Sequence, residues 1–522
     1  MPLPPPSPAV SLLLAVAGGF ATDAAFPGRS WWPMAFVGIA LLLLALRDAT
    51  AGRSFAYGAV WGAAFFFPHL WWANEAAGVV PWVALATAES LLLGCFALAW
   101  SLARRSRPVR ERAWLRLVVV AALWVGVEQV RAAWPFGGLP WGLLAFSQTE
   151  GPLLRLAALG STPLVGAVVV AVGALLAHAL LALRRVDVGR ASAALLVGAA
   201  LVAVGLVVPV DTRAEAGTLR VGAVQGNVPG PGLDAFAVRR DVLERHVDGT
   251  VALLDQVEPG ELDVVLWPEN AADIDPRADA EAASLVEEAA GAVAAPVLVG
   301  AIRYEDGYRF NDAVLWEPGE GAVESYTKQH PAPFGEYMPM RDLFRRFSSA
   351  VDLVGTDMLP GTEVGIVPLE SERLGRVVDL AVAICFEVAY DGLVRDAVRA
   401  GGEVLVVPTN NSSFGYTQES RQQLAMSVFR SVEHGRATVQ ISTVGISAII
   451  APNGVVMDTG GLFTAEQLVA TLPLRTSLTI ADRLGPVPAI VAGAVAGIAL
   501  LGGVRSTISQ RRTRGAPSRS SR

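Results

Sequence analysis

Three residues in the second half of the chain have side chains that can act together on a carbonyl carbon. Cys385 follows the apolar run Val377–Ile384, which predicts a buried strand of about eight residues. Glu269 comes at the end of another apolar run, in the segment DVVLWPEN, and Lys328 lies in the segment SYTKQHPAPFGEYMP. A thiol can attack a carbonyl carbon, a carboxylate can accept the thiol proton, and an ammonium group can stabilise the resulting oxyanion. These residue types predict a nucleophilic site if the fold brings them together.

Each of these residues has an ordinary structural interpretation when it is taken alone. Only two cysteines occur, and a lone cysteine such as Cys385 is often a small buried apolar side chain, which is also our prediction for Cys95. Lys328 is the only lysine among 41 basic residues, so an incidental surface lysine is the alternative. Lysine, unlike arginine, is a compact donor whose pKa responds to burial. With Asp391 as the predicted N-cap of a helix after Cys385, we expect Lys328 and that helix end to lower the pKa of the thiol.

Neighbouring residues extend the predicted site. Glu336, in the same segment as Lys328, is predicted to orient Lys328 or to contact the substrate. Glu387 and Phe386 are predicted as supporting residues, because the charge of the first can help to fix the turn that carries the nucleophile and a backbone N–H beside the cysteine can help to stabilise an oxyanion.

Long apolar runs flank the region that contains these residues. The chain is 53% hydrophobic and 17% charged, with a mean hydropathy of +0.46, and the apolar excess lies outside residues 212–483. Membrane-crossing helices of about 17–25 residues are predicted near 9–28, 31–46, 55–73, 79–103, 113–130, 161–183, 191–209 and 487–504. We therefore predict a seven-span region over 1–211, a catalytic domain over 212–483, and an eighth span with a basic tail over 484–522.

Arginine residues predict the orientation of these spans. They follow the second, fourth, sixth and eighth spans, at positions 47, 53, 104, 105, 107, 110, 112, 184, 185, 190, 505, 511, 512, 514, 519 and 522. By the positive-inside rule both termini are cytoplasmic, and residues 212–483 lie outside a plasma (inner) membrane. A structural disulfide is not expected from two cysteines so placed. Neither the net charge of −7 nor a basic tail beside a span indicates nucleic acid as a partner.

Residues 212–483 alternate patterns typical of strands and helices. Strands are predicted at 219–225, 263–267, 297–302, 313–316, 377–384, 403–407 and 438–450, and helices at 233–257, 279–294, 392–400 and 418–435. Mixed order of this kind predicts an α/β layered domain.

The segment Glu128–Gly151, between the fifth and sixth spans, is rich in aromatic residues and glycine. It is predicted to be a re-entrant or interfacial piece, with Trp134 and Trp141 at headgroup level. Glu128 and Arg131 are three residues apart at a helix end, close enough to pair. An ordinary aromatic belt is the alternative for this segment.

Three motifs resemble those of the nitrilase superfamily: WPEN at Glu269, YTKQHPAPFGEYMP at Lys328, and AICFE at Cys385. With eight flanking spans and the segment VGAVQGNVP (Val221–Pro229), nearly the whole chain resembles the apolipoprotein N-acyltransferases. The resemblance implies an αββα sandwich attached to an α-helical transmembrane bundle. It also implies Cys385 as the nucleophile, Glu269 as the base, Lys328 as the lysine of the triad and Glu336 as a further essential glutamate.

The reaction that this resemblance implies is a two-step acyl transfer. Cys385 takes an acyl chain from a phospholipid as a thioester, and the α-amine of the N-terminal cysteine of a diacylglyceryl-modified lipoprotein then accepts it. The expected partners are the phospholipid donor, the lipoprotein acceptor and the membrane; no cofactor, metal or nucleic acid is expected. Trp141, Phe414 and Tyr390 are predicted to face lipid or substrate.

One loop departs from the family's pattern. The segment NNSSFG (Asn410–Gly415) has Ser413 where family members often have a tryptophan. The loop otherwise fits a mobile, membrane-facing lid.

Two other functions stay open at this point. The triad also fits a membrane-attached amidase of the nitrilase type that hydrolyses a small amide. The non-enzymatic alternative is a multi-span scaffold or transport protein whose outer domain binds a partner. Few ionisable residues lie in mid-span, Glu89 being the clearest case, which argues against an ion or proton pathway.

Overall fold

The computed structural model describes residues 4–228 and 240–514. Pro229 of the VGAVQGNVP segment, the first part of the helix predicted over 233–257 and residues 515–522 of the basic tail lie outside the described residues.

The first part of the chain is helical. The first helix begins after Ser7, whose Oγ accepts a hydrogen bond from the Val10 N–H, and it has a proline as its first residue. The helices of this part, with their bounds, are α1 (Pro8–Ala24), α2 (Met34–Ala45), α3 (Ala51–His69), α4 (Trp72–Ala77), α5 (Val79–Ala103), α6 (Arg107–Glu111), α7 (Ala113–Ala133), α8 (Ala157–Leu183) and α9 (Val188–Val207). Helix α8 bends at Gly160 and Ser161, where Ser161 has a φ of 59°.

The described residues of the following domain form two six-stranded sheets and six α-helices. The helices are α10 (Asp241–Ala252), α11 (Ala280–Val293), α12 (Arg341–Phe344), α13 (Asp391–Arg399), α14 (Glu419–His434) and α15 (Ile480–Leu484). The strands are β1 (Thr218–Gln225), β2 (Val264–Leu266), β3 (Val297–Glu305), β4 (Tyr308–Glu317), β5 (Gly321–Thr327), β6 (Ile366–Ser371), β7 (Arg376–Val382), β8 (Val404–Thr409), β9 (Thr438–Ser442), β10 (Ala448–Ile450), β11 (Val456–Thr459) and β12 (Glu466–Pro473). A last helix, α16 (Val487–Arg514), follows this domain.

The two sheets pack face to face and are covered by helices. The strand order is β12-β1-β2-β3-β4-β5 in one sheet and β11-β10-β9-β8-β7-β6 in the other, with β1-β2-β3 and β7-β8-β9 parallel. Buried apolar side chains of both sheets form one core between them, α10 and α11 pack on the outer face of the first sheet, and α13 packs on the outer face of the second. The predicted α/β layered domain is therefore confirmed.

Helix α14 lies between the second sheet and the apolar helices. Its Phe429 is fully buried and packs edge-on against Phe146, with ring centroids 5.3 Å apart. Met426, Val428 and Val432 join the same apolar core, which continues into the helices before residue 208. The domain and the helical part therefore share a core along this helix.

Five helices of the described chain are long and apolar enough to cross a membrane: Val79–Ala103, Ala113–Ala133, Pro152–Leu183, Val188–Val207 and Val487–Ser509. The helices α1 and α2 are apolar but have only 17 and 12 residues. The chain is a membrane protein, and five of the eight predicted spans meet this test of length and composition.

Several predictions of secondary structure were wrong in detail. The run 438–450 forms two strands, β9 and β10, because the chain turns between them. Strands β5, β6, β11 and β12 were missed; β5 and β11 are largely exposed and lack an apolar run. Cys95 is exposed on α5 and does not pack in the core, since its apolar neighbours fill the inner face of that helix.

Candidate active site

The three predicted site residues follow three strand ends. Glu269 comes shortly after β2, Lys328 directly after β5, and Cys385 shortly after β7. Cys385 opens a short 3-10 helix, Cys385–Ala389, and has a φ of 57°. A non-glycine residue in this left-handed region costs of order 1–3 kcal/mol, and such residues cluster at functional sites.

Lys328 is buried between two carboxylates. Its Nζ lies 2.9 Å from Glu269 Oε1 and 2.7 Å from Glu336 Oε1, and the side chain is 1% exposed. Burial alone would lower the pKa of Lys328, but the charges of Glu269 and Glu336 outweigh it and raise the pKa well above its usual value. The lysine therefore carries a permanent positive charge at the centre of the site.

Glu269 is held in one orientation by two donors. Its Oε1 accepts hydrogen bonds from Lys328 Nζ and from Asn311 Nδ2, the latter at 2.6 Å. Its main-chain oxygen accepts a further hydrogen bond from Thr443 Oγ1 at 3.2 Å. The carboxylate is 3% exposed, so its position relative to the lysine is determined by fixed partners.

The charges of Glu269 and Lys328 affect the pKa of the Cys385 thiol. Burial raises the pKa of the thiol, the negative charge of Glu269 raises it further, and the positive charge of Lys328 lowers it by less. The expected lowering of this pKa was therefore wrong, because the effects of desolvation and of Glu269 were not visible in the sequence. A neutral thiol needs a base to remove its proton. Among the carboxylates, Glu269 has the largest effect on the pKa of this thiol.

Asp391 is not the N-cap that the sequence predicted. Helix α13 begins at Asp391 with Tyr390 as its N-cap residue. The Asp391 carboxylate instead accepts hydrogen bonds from Ser161 and Thr162 in the bend of α8 and from Arg430 Nη2 of α14. It therefore links the domain to the helical part rather than capping a helix beside the thiol.

Arg430 supports the turn that begins at Cys385. Its Nε donates to the Val388 carbonyl and its Nη2 to the Ala389 carbonyl, each at 2.8 Å, and its side chain is fully buried. These carbonyls close the 3-10 helix that begins at Cys385. The position of that turn is therefore tied to α14.

Glu387 joins the turn that begins at Cys385 to the loop that carries Lys328. Its Oε2 accepts the Ile384 N–H at 2.7 Å, and its Oε1 accepts the N–H groups of Gln329 and His330 at 2.7 and 3.0 Å. Burial raises the pKa of Glu387 to about 7, against the lowering effect of Lys328 and these donors. Glu387 thus connects the turn that begins at Cys385 to the segment that carries Lys328.

Four aromatic side chains form a cluster next to Cys385, which we call the aromatic cluster: Trp72, Trp141, Phe386 and Phe414. The Trp141 and Phe386 rings are 4.8 Å apart, and Trp72 contacts the other three rings at 5.4 to 5.7 Å. Since Phe386 follows Cys385 directly, the cluster gives the site an apolar side that is built partly from the short helix α4 and from the loop after α7.

Trp141 is not exposed at the protein surface, as a tryptophan in contact with lipid headgroups would be. It is 1% exposed, and its Nε1 donates to Gln422 Oε1 at 2.6 Å, whereas Trp134 is 63% exposed. Trp141 is buried because the loop that carries it folds under the domain. Tyr390 and Phe414 are half-buried, and Tyr390 Oη donates to the Gly138 carbonyl at 3.2 Å.

Two buried charged residues hold this loop. Arg131 forms an ion pair with Glu89 and donates through Nη2 to the Trp141 carbonyl at 2.8 Å. Glu128 accepts the Leu144 N–H at 2.9 Å. The predicted pairing of Glu128 with Arg131 was therefore wrong: Glu89 of α5 competes successfully for the arginine, and the main chain of the loop satisfies Glu128.

Sequence reasoning missed Asn311, Thr409 and Gln423, which contact Glu269 or Cys385. Thr409 Oγ1 lies 3.3 Å and Gln423 Nε2 lies 3.6 Å from Cys385 Sγ. The only sequence signal for them is a polar residue at the end of, or next to, an apolar run, which many structural residues share.

Comparison with known proteins is consistent with this geometry. Residues 18–175 match the family model described as the apolipoprotein N-acyltransferase N-terminal domain, and residues 221–480 match the carbon-nitrogen hydrolase model. The chain is 39% identical to the apolipoprotein N-acyltransferase of Mycolicibacterium smegmatis over 94% of this chain and 84% of that protein. It is 29% identical to the enzyme of that name from Geobacter metallireducens, covering 94% of each.

Among solved structures, an amidase from Nesterenkonia sp. aligns with 52% of this chain and 98% of its own, at 17% identity and a TM-score of 0.36. The sequence matches to the curated relatives extend over both the membrane helices and the catalytic domain. The chain therefore belongs to the apolipoprotein N-acyltransferase family and is an N-acyltransferase with a nitrilase-like domain.

Proposed function

We propose that this membrane enzyme transfers an acyl chain from a phospholipid to the N-terminal amine of a diacylglyceryl-modified lipoprotein through a thioester on Cys385. The observation that carries the assignment of residues is the contact of Lys328 with both Glu269 and Glu336 beside a buried thiol. Glu269 is the base, Lys328 stabilises the oxyanion, and Glu336 keeps the lysine charged and in place. Phe386 and Glu387 support the nucleophile turn.

In the first half-reaction the Cys385 proton moves to Glu269, and Sγ attacks the ester carbonyl carbon of the phospholipid. The carbonyl π electrons move to oxygen, whose negative charge faces the Lys328 ammonium. When the carbonyl re-forms, the ester C–O bond breaks and the proton returns from Glu269 to the alcohol oxygen of the lysophospholipid. The thioester remains on the enzyme.

In the second half-reaction the uncharged amine of the lipoprotein attacks the thioester carbon. Glu269 takes a proton from the attacking nitrogen, the C–S bond breaks, and that proton returns to Sγ. The product is an amide and the enzyme regains its thiol. Water must be kept away during the lifetime of the thioester, and the burial of Cys385, which is 6% exposed, serves this purpose.

The aromatic cluster favours a long apolar substrate over the small amide of the amidase alternative. A groove of about 420 Å³ lies beside Trp72, between the end of α3 and the chain that leads into α14. It is lined by Pro68, His69, Trp71, Trp72, Thr417 and Gln418. Half of this lining is polar, but the rings of Trp71 and Trp72 and the side chain of Pro68 provide an apolar part that suits an acyl chain. Trp141, Phe414 and Tyr390 are the residues that we assign to this side of the site.

Incubation of the whole purified protein with phospholipid should leave an acyl group on Cys385. Mass spectrometry of the peptide that contains Cys385 should show the added acyl mass, sensitive to hydroxylamine, and release of lysophospholipid in equal amount. A Cys385→Ala variant should show neither. Turnover of small amides without any acyl-enzyme from phospholipid would instead support the amidase alternative, and retention of the cellular role by Cys385→Ala would support the scaffold.

We further propose eight spans, with both termini in the cytoplasm and residues 212–483 outside the plasma membrane as a catalytic domain between 1–211 and 484–522. The arginine-rich connections support this orientation. In a Cys95→Ser background, a maleimide that cannot cross membranes should label Glu324→Cys in intact cells and Arg185→Cys only after permeabilisation. Both positions are exposed, and the reverse pattern would overturn the orientation.

A further inference from the structure

A group of buried polar residues lies behind the Cys385 sulfur and has no part in the steps described above. Its members are Thr409, Asn411, Glu419, Gln423 and Ser442, all of which are at most 2% exposed. They come from β8, the chain after it, α14 and β9. Since buried polar groups are costly unless they are hydrogen-bonded, the way in which they are paired is informative.

The hydrogen-bond directions in this group follow from one main-chain donor. The Gly445 N–H donates to Ser442 Oγ at 2.7 Å, so the hydroxyl hydrogen of Ser442 is free to donate to Asn411 Oδ1 at 2.6 Å. The Asn411 Nδ2 therefore points the other way. This nitrogen donates its two hydrogens to Gln423 Oε1 at 2.9 Å and to Glu419 Oε2 at 2.7 Å.

The carboxamide of Gln423 is oriented as a consequence. Its Oε1 accepts from Asn411 Nδ2 and lies 2.9 Å from Thr409 Oγ1, so its Nε2 is turned to Cys385 Sγ, 3.6 Å away. An amide nitrogen can only donate. The sulfur therefore faces a fixed N–H donor from Gln423, next to the Thr409 hydroxyl, whose Oγ1 lies 3.3 Å from Sγ.

We propose that Gln423 is a further catalytic residue, whose side-chain N–H stabilises the negative charge on Cys385 Sγ as Glu269 removes the proton and again as the thioester is cleaved. Asn411 and Ser442 are positioning residues that determine which end of the carboxamide faces the sulfur. This inference rests on the proposed role of Cys385 as the nucleophile.

Glu419 fits this arrangement as an uncharged acceptor. Burial raises the pKa of Glu419 to about 8, although the hydrogen bond from Asn411 opposes this, and the charge of Glu269 adds to the increase. Its Oε1 is buried without a hydrogen-bond partner within residues 4–228 and 240–514. At neutral pH it is mostly protonated, so it can engage Asn411 without placing a full negative charge behind the sulfur.

The test is the single-turnover rate of Cys385 acylation by phospholipid, measured on the whole detergent-solubilised enzyme over a range of lipid concentrations. A Gln423→Met variant should acylate about tenfold more slowly or worse, because a hydrogen bond to a developing charge is lost, while the lipid concentration at half-maximal rate stays unchanged. Gln440→Met is the matched control: this buried glutamine bonds to Ser427 and Ile446 instead, and its loss should leave the rate unchanged.

The Ser442→Ala variant tests whether Ser442 orients Gln423, and it removes no group that contacts the sulfur. It should lower the acylation rate through Gln423, and it should have no further effect in the Gln423→Met background, since coupled residues are not additive. If Gln423→Met does not fold, the Ser442→Ala variant alone tests the inference. A wild-type acylation rate in this variant overturns the inference. A lower acylation rate, with an unchanged lipid concentration at half-maximal rate, supports it.

The result separates this inference from the proposed function. A wild-type enzyme that forms the acyl-enzyme, together with a Gln423→Met variant that forms it equally fast, would overturn the role of Gln423 and leave Cys385 as the nucleophile. A wild-type enzyme that never becomes acylated would overturn both.

Discussion

Replacing Glu269 by Gln should slow acylation of Cys385 by about 10²–10⁴-fold, the usual contribution of a general base. The amide has the same shape, but it cannot take the thiol proton. The need for a base is large here because burial raises the pKa of the thiol and keeps it neutral. The measurement is the rate at which phospholipid forms the acyl-enzyme at pH 7.

A matched control is Glu288→Gln, because Glu288 is exposed on α11 and lies outside the site. This variant should acylate at the wild-type rate. A Glu269→Gln enzyme that kept most of the wild-type rate while folding normally would remove Glu269 from the mechanism.

Replacing Lys328 by Met should have two separable effects. Loss of the ammonium group should lower the acylation rate by about 10²–10³-fold, as for removal of one oxyanion donor. It should also destabilise the fold by about 3–5 kcal/mol, because Glu269 and Glu336 then lie buried without the cation between them. Acylation kinetics and thermal unfolding of the purified enzyme measure the two effects.

Combining Lys328→Met with Glu336→Gln distinguishes these effects. Removal of one carboxylate charge should recover much of the lost stability, whereas the acylation rate should stay low because the oxyanion still lacks its donor. Recovery of the rate along with the stability would mean that Lys328 acts only by holding the fold together.

The sequence predicted which residues form the candidate site better than it predicted the protonation state of the thiol. Glu269, Lys328 and Cys385 were predicted because their residue types are rare or follow strand-like runs, and the structure brings Glu269 and Lys328 into contact. The direction of the thiol pKa shift was wrong, since desolvation depends on how deeply the sulfur is buried and on the distance to Glu269, neither of which a linear sequence contains.

Tertiary partners explain the other differences. Arg131 was predicted to pair with its helix neighbour Glu128, yet it pairs with Glu89 from another helix. Gln423 could not be predicted, because its role depends on the orientation that Asn411 and Ser442 impose on it. The αββα arrangement was predicted from resemblance rather than from periodicity, and the exposed edge strands β5 and β11 have no apolar pattern.

The hydrogen bonds that Asp391 accepts from Ser161, Thr162 and Arg430 fix the turn that follows Cys385 to the bend of α8. Because this contact fixes the turn relative to the apolar helices, we expect the lipid-bearing reactants that we propose to reach the site by diffusion within the bilayer. A catalytic domain excised from its helices would lose this anchor, and the bare apolar face of α14 would drive it to aggregate rather than to work as a soluble enzyme.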